Sequence, residues 1–228
     1  MGAVRAGPWS SSWRTALAAT EAPVGEEALL PRERDLIEGS TPQRTAEFAT
    51  GRHCARLALA SLDPSLSRVP LLRDHRGAPA WPPGVVGSVT HCAGWTGAVV
   101  ARSRGSRLGR GVAAIGLDAE PIAPLPAGVL EVVASGEERE VLARLDAKEP
   151  GIPWDTLLFS AKEATYKAWY PLTGIVLGHA AVHVELSPTG TFTGGAAAHD
   201  SAGREVRQRV RGRWVLGPRV MVTLCVAG

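Results

Sequence analysis

Two helix-forming stretches, one in each half of the chain and each closed by proline, constrain the fold most. Thr41-Pro42 places an N-capping hydroxyl before a proline at the first helical position, and Asp63-Pro64 stops the run after Leu62. In the second half, a helix is predicted from about Trp154 to Tyr170, ended before Pro171, with a shorter one over Gly136 to Leu145. Strands are expected at Val85 to Thr90 and Gly97 to Ala101 around a Cys92-Ala-Gly94 turn. Others are expected at Val112 to Leu117, Ala181 to Leu186, Val206 to Val210 and Val220 to Val226. The helix-and-strand order of the first half thus recurs in the second. A polar linker, Arg102 to Gly111, separates them, which sets expected domains of 1–111 and 112–228.

With 228 residues, 45% of them hydrophobic and 21% charged, the chain can bury one good core or two small ones. Three widely spaced cysteines, with no Cys-x-x-Cys pair, argue against a disulfide framework or zinc ribbon and for a reducing cytoplasm. No apolar run approaches the roughly 20 residues that span a bilayer, so no membrane partner is expected. A net charge of +3 suits acidic partners without choosing among them.

Chemistry concentrates in two short segments. In Gly116-Leu-Asp118-Ala-Glu120, strand alternation sends both acids to one face, where they repel unless solvated or bridged by a hard cation. In Phe159-Ser-Ala-Lys162-Glu163-Ala-Thr-Tyr-Lys167, helical spacing puts Ser160, Glu163 and Lys167 opposite a stripe of Ala161, Ala164, Thr165 and Ala168. Lys162 and Tyr166 are expected to flank that polar side. Each pattern alone is equally an ordinary surface feature. Lysine, however, supplies only three of the 25 basic residues, and two of those three bracket Glu163.

On the helix from 42 to 62, Arg44, Arg52 and Arg56 share a sector with Phe48 and Leu59, a mixture suited to a wall where guanidinium groups meet phosphate. Snorkelling arginine stems would look the same. Gly87-Ser-Val-Thr90-His91 carries a threonine and a histidine to a strand end near glycines. His179 and His183 have i, i+4 spacing, but the second falls in a predicted strand, and neither is expected to bind metal.

Taken together, Gly51-Arg52-His-Cys-Ala-Arg56, Trp81-Pro82 through His91, Gly116 through Glu120 and Phe159 through Pro171 resemble the two-lobed 4'-phosphopantetheinyl transferases. His91-Cys92 and Tyr170-Pro171 are closest to the enterobactin-synthetase component D branch. The resemblance implies an α+β fold, a pseudodimer of two similar α/β lobes with the active site in the cleft between them. It implies transfer of phosphopantetheine from coenzyme A to a serine of an apo acyl or peptidyl carrier protein, releasing adenosine 3',5'-bisphosphate. By the same likeness, Asp118, Glu120 and Glu163 hold Mg²⁺ (or Mn²⁺), with water completing the shell because Ala119 cannot ligate. Lys162 and Lys167 neutralise the reacting phosphate, and Glu163, or a water bound beside it, accepts the serine proton. Arg44, Arg52, Arg56, Arg76, Thr90 and His91 contact coenzyme A. A monomeric, cytoplasmic enzyme is expected.

Two other readings compete. Another Mg²⁺-dependent phosphoryl transferase would need a phosphate cradle, and no Gly-x4-Gly-Lys-Ser/Thr loop occurs. A nucleic-acid-binding module would exploit Arg204, Arg207, Arg209, Arg211 and Arg213. Their alternation with Val206, Gln208, Val210 and Gly212 reads more simply as the solvated face of a strand.

Overall fold

The computed structural model describes residues 15–74, 77–92, 94–105 and 111–228, which form two units, Met1–Ile115 and Gly116–Gly228. The division falls between Ile115 and Gly116.

The first unit contains β1 (Thr15–Thr20), α1 (Pro31–Arg34), α2 (Pro42–Leu62), β2 (Val85–Cys92) and β3 (Trp95–Arg102). Thr41 caps α2 by accepting from the Arg44 amide, and Pro42 occupies the first turn, where no amide proton is needed. The sheet order is β1-β3-β2, antiparallel throughout, with Leu17 opposite Val99 and Val89 opposite Ala98. Ala55, Ala58 and Leu59 of α2 pack into one core with Ala16, Ala18, Ala98 and Val100. Small side chains on both layers allow close approach, and they also explain why β1, almost all alanine and threonine, carries no strand signal in the sequence.

The second unit contains β4 (Ala114–Pro121, which begins just before it), α3 (Val129–Val133), α4 (Gly136–Lys148), α5 (Trp154–Thr173), β5 (Val182–Ser187), β6 (Thr191–His199), β7 (Glu205–Leu216) and β8 (Val220–Ala227). The five strands run in the order β4-β8-β7-β6-β5, and α5 packs against β8 and on across β7, β6 and β5. Gly116 permits the closest approach: a Cβ there would stand 1.8 Å from the Ala164 carbonyl oxygen. A side chain at Gly194 of β6 would meet Thr165 Oγ1 at 2.4 Å, so the contact that seats α5 removes the hydrophobic pattern by which β6 could be read. On β7, Val210 and Trp214 are buried whereas Arg207, Arg209, Arg211 and Arg213 are exposed, as a solvated strand face predicts.

The predicted end of α5 is corrected. The helix passes through Pro171 and stops at Gly174, whose left-handed conformation lets its amide donate to the Tyr170 carbonyl. Proline removes one amide donor, a loss the helix tolerates this near its end, and the glycine supplies the terminating geometry.

Candidate functional site

In the second unit, β4 and α5 bring Asp118, Ser160 and Lys167 together. Asp118 is buried. Its Oδ1 accepts from Lys167 Nζ at 2.7 Å and its Oδ2 from Ser160 Oγ at 2.8 Å, while Lys167 also donates to the Leu117 carbonyl at 3.2 Å. Ser160 lies 2.9 Å from Thr223 Oγ1 of β8, which donates in turn to the Ser160 carbonyl. Asp118 is therefore fixed as an ionised acceptor within a satisfied network.

Glu120, two residues along the same strand face, differs sharply. Among the described residues it has no hydrogen-bond partner, although it is half buried. Burial first, then repulsion from Asp118 and Glu163, outweigh the attraction of Lys167 and push its carboxyl up to about 7. Glu163, one α-helical turn before Lys167, accepts on Oε1 from His179 Nε2 at 2.8 Å. An ionised carboxylate can only accept, so Nε2 carries the proton.

The three carboxylates expected to hold metal therefore feel one another without being gathered. Among the described residues no three His, Cys, Asp or Glu side chains form a ready-made cage. Asp118 is drawn to Lys167 and Ser160, and Glu163 to His179. The donor set still suits a hard divalent cation: an all-oxygen set, one unpartnered half-buried carboxylate, and mutual repulsion that a cation would relieve.

Lys162 is corrected. It does not flank the polar side of α5 but is 1% exposed, with its three ammonium protons directed at Glu138 Oε2 (2.7 Å), the Val133 carbonyl (2.7 Å) and the His179 carbonyl (3.3 Å). Glu138 is the third residue of the capping box opened by Ser135, and it also accepts from the Val184 amide. Burial raises the Glu138 carboxyl, but Lys162 and these amides outweigh it and hold it below the ordinary range. This pair ties α3, α4 and α5 to β5. Helical periodicity placed Lys162 near the polar side because it cannot foresee a buried acid on another element.

In the first unit, a basic cluster forms around Phe48 of α2. The Arg52 and Arg73 guanidinium carbons lie 4.3 and 4.4 Å from the same ring centroid. Arg52 is buried and donates from Nε to the Leu71 carbonyl at 2.8 Å. Burial lowers it to about 10, with Arg73, Arg56 and Arg44 adding repulsion against the pull of Glu33. Arg73 is lowered by burial and by Arg44. Glu47 touches this cluster, 3.3 Å from Arg44 and 3.8 Å from His91 Nε2. Crowded guanidinium groups that repel one another are stabilised by an anion.

Arg73 is not legible in the sequence because no periodicity connects it to α2, and the family resemblance points instead to Arg76, which lies outside the described residues. Arg56 is spent on the fully buried Glu33, 2.6 Å away, and on the Ala28 carbonyl, while Glu33 also accepts from the Leu30 and Leu71 amides. Thr90 is buried, because strand alternation turns it inward when His91 turns to solvent. Apart from both clusters, a mostly apolar cavity of about 560 Å³ opens beside Ile122, Leu142 and Trp154, and none of the predicted residues lines it.

Two family models match most of the chain. The 4'-phosphopantetheinyl transferase N-terminal domain matches residues 32–101, and the 4'-phosphopantetheinyl transferase superfamily matches residues 114–217. The 4'-phosphopantetheinyl transferase Svp of Streptomyces mobaraensis is 46% identical over 217 residues, 93% of this chain and 85% of that protein. The transferase PptT of Mycobacterium tuberculosis is 44% identical over 162 residues, 71% of this chain and 67% of that protein. Enterobactin synthase component D of Salmonella typhi is 31% identical over 140 residues, 59% of this chain and 52% of that protein, so the expected likeness to that branch is present. The chain belongs to the 4'-phosphopantetheinyl transferase superfamily and is a transferase. Among the described residues no helix is long and apolar enough to cross a membrane.

Proposed function

We propose that this chain moves the 4'-phosphopantetheine group of coenzyme A to a serine hydroxyl of an apo acyl or peptidyl carrier domain, releasing adenosine 3',5'-bisphosphate. The observation that carries the reading is Glu120: a half-buried carboxylate without a hydrogen-bond partner among the described residues, repelled by Asp118 and Glu163. Such a group is stable at neutral pH only as an acid or beside a cation.

In this reading Asp118, Glu120 and Glu163 would hold Mg²⁺, or Mn²⁺ in its place, which would supply charge neutralisation for the pyrophosphate. Lys167, already oriented by Asp118 and the Leu117 carbonyl, places its ammonium where charge develops on the leaving phosphate. Glu163 keeps Oε2 without a protein hydrogen bond among the described residues, which makes it the oxygen available to the serine proton. The serine oxygen then bonds to the phosphorus of the pantetheine phosphate, and the bond to the nucleotide phosphate breaks. Arg44, Arg52, Arg73 and His91 take the nucleotide phosphates. The same proposal includes the pseudodimeric relation of the two units and the shared coenzyme A site that the resemblance implies.

Mass spectrometry of a panel of apo acyl and peptidyl carrier domains, incubated with the protein, coenzyme A and Mg²⁺, tests this. Gain of one phosphopantetheine on serine by at least one carrier, abolished by chelator, is the expected result. No gain on any carrier of the panel overturns it.

A further inference from the structure

The segment between α5 and β5 has no role in the reaction as derived so far, yet among the described residues it delivers the one side chain that hydrogen-bonds the Glu163 carboxylate. His179 opens a short 3-10 turn after Gly178, and its imidazole Nε2 reaches Glu163 Oε1 at 2.8 Å. The ring is held from three directions. It stacks on Phe159, one turn before Glu163 on α5, with centroids 5.4 Å apart and planes inclined by 22°. Its own carbonyl accepts from the buried Lys162 ammonium. The loop leading to it is fixed at Ile175, whose carbonyl accepts from Trp169 Nε1 at 2.8 Å. An exposed surface pair between a carboxylate and histidine would lack these restraints and would be worth little.

We infer that His179 is a positioning residue for Glu163: its Nε2 proton occupies Oε1 and thereby commits Oε2 to the metal or the serine proton. The inference rests on the proposed role of Glu163 and goes beyond it, because it places a hydrogen-bond donor from a separate loop behind a carboxylate that must ligate. A carboxylate held by one hydrogen bond has fewer orientations to lose when it binds a metal, and outer partners of this kind change metal affinity by about 10- to 100-fold. Lys162 acquires a consequence as well. By fixing the His179 carbonyl while paired with Glu138, it connects the buried ion pair to the orientation of Glu163.

The test uses the full chain without substrates and measures Mn²⁺ binding by titration calorimetry. His179→Phe preserves the stack on Phe159 and removes the donor, while His179→Gln restores a donor on a different side chain. His179→Phe is expected to weaken Mn²⁺ binding about 10-fold or more and to lower kcat, with KM for coenzyme A within about twofold of the parent and an unchanged unfolding midpoint. His179→Gln is expected to recover most of the lost affinity. Glu163→Gln is the control for the underlying reading. If it leaves Mn²⁺ affinity intact, Glu163 is no ligand and the inference falls with it. If Glu163→Gln loses the ion while folded His179→Phe binds it at parental affinity, the positioning role alone is overturned.

Discussion

Asp118 and Glu120 share one face of β4, yet the first accepts hydrogen bonds from Lys167 and Ser160 while the second has no protein hydrogen bond among the described residues. Identical chemistry two positions apart is thus split into a fixed anion and a carboxyl raised to about 7. The split determines how the two must respond to substitution.

Glu120→Gln is expected to abolish most transfer but to raise, not lower, the unfolding midpoint of chelator-treated protein at pH 8. An acid whose folded pKa is raised is ionised at a lower pH in the unfolded chain, so folding loses stability from its ordinary pKa upward, fully by pH 8. The amide substitution removes that loss. At pH 4, where both states hold the proton, the two midpoints should converge. Asp118→Asn should instead lower the midpoint at pH 8, since it removes the negative charge that pairs with Lys167 and leaves only a neutral amide oxygen there. Thermal unfolding of both variants in chelator decides the matter, and a lower midpoint for Glu120→Gln would contradict the raised carboxyl.

The two lysines of α5 should separate by what their removal leaves behind. Lys162→Ala leaves Glu138 ionised and buried with amides alone, a change that costs about 3 to 5 kcal/mol in comparable ion pairs. Lys167→Ala leaves Asp118 with Ser160 and opens to water the place of an ammonium that is itself partly exposed, so its unfolding midpoint should fall less while its turnover falls more. Denaturant melts set beside steady-state rates would expose a Lys162 variant of parental stability, which would return that lysine to the reaction.

Much of this was legible in the sequence, and for a definite reason. The carboxylates, Lys167 and the α2 arginines announce themselves by periodicity within one element, and α2 by its proline punctuation. What stayed hidden depended on contacts across elements. Glu33 claims Arg56 from 23 positions away, Glu138 claims Lys162, and His179 meets Glu163 through a loop that ends at Gly178. Arg73 joins Arg52 only because both guanidinium groups settle on Phe48. β1 and β6 were invisible because close packing demanded alanine and glycine, which leave no hydrophobic alternation.

If the basic cluster takes the 3'-phosphate, Arg73→Ala or His91→Ala should weaken coenzyme A far more than dephospho-coenzyme A. The difference between the two ligands isolates one phosphate, and removing a charge-assisted hydrogen bond to it costs roughly 1.5 to 3 kcal/mol. Arg56→Ala provides the contrast: it uncovers the buried Glu33 carboxylate and should reduce stability without discriminating between the ligands. Equal weakening of both ligands in Arg73→Ala and His91→Ala would remove the cluster from nucleotide recognition.

Gly116→Ala should be among the most damaging single-methyl additions in the chain. The new Cβ would stand 1.8 Å from the Ala164 carbonyl oxygen and 2.8 Å from its carbon, both backbone atoms of α5, so no side-chain rotation relieves the clash. Either β4 or α5 must move, and overpacking of this kind typically costs about 1 to 3 kcal/mol. The same movement separates Asp118 from Lys167, whose 2.7 Å hydrogen bond tolerates little displacement. Transfer activity should therefore fall further than the loss of folded protein explains, as measured by turnover per folded molecule at a temperature well below the variant's midpoint. A Gly116→Ala protein with parental turnover per folded molecule would show that the spacing between β4 and α5 does not set the geometry of the carboxylate site.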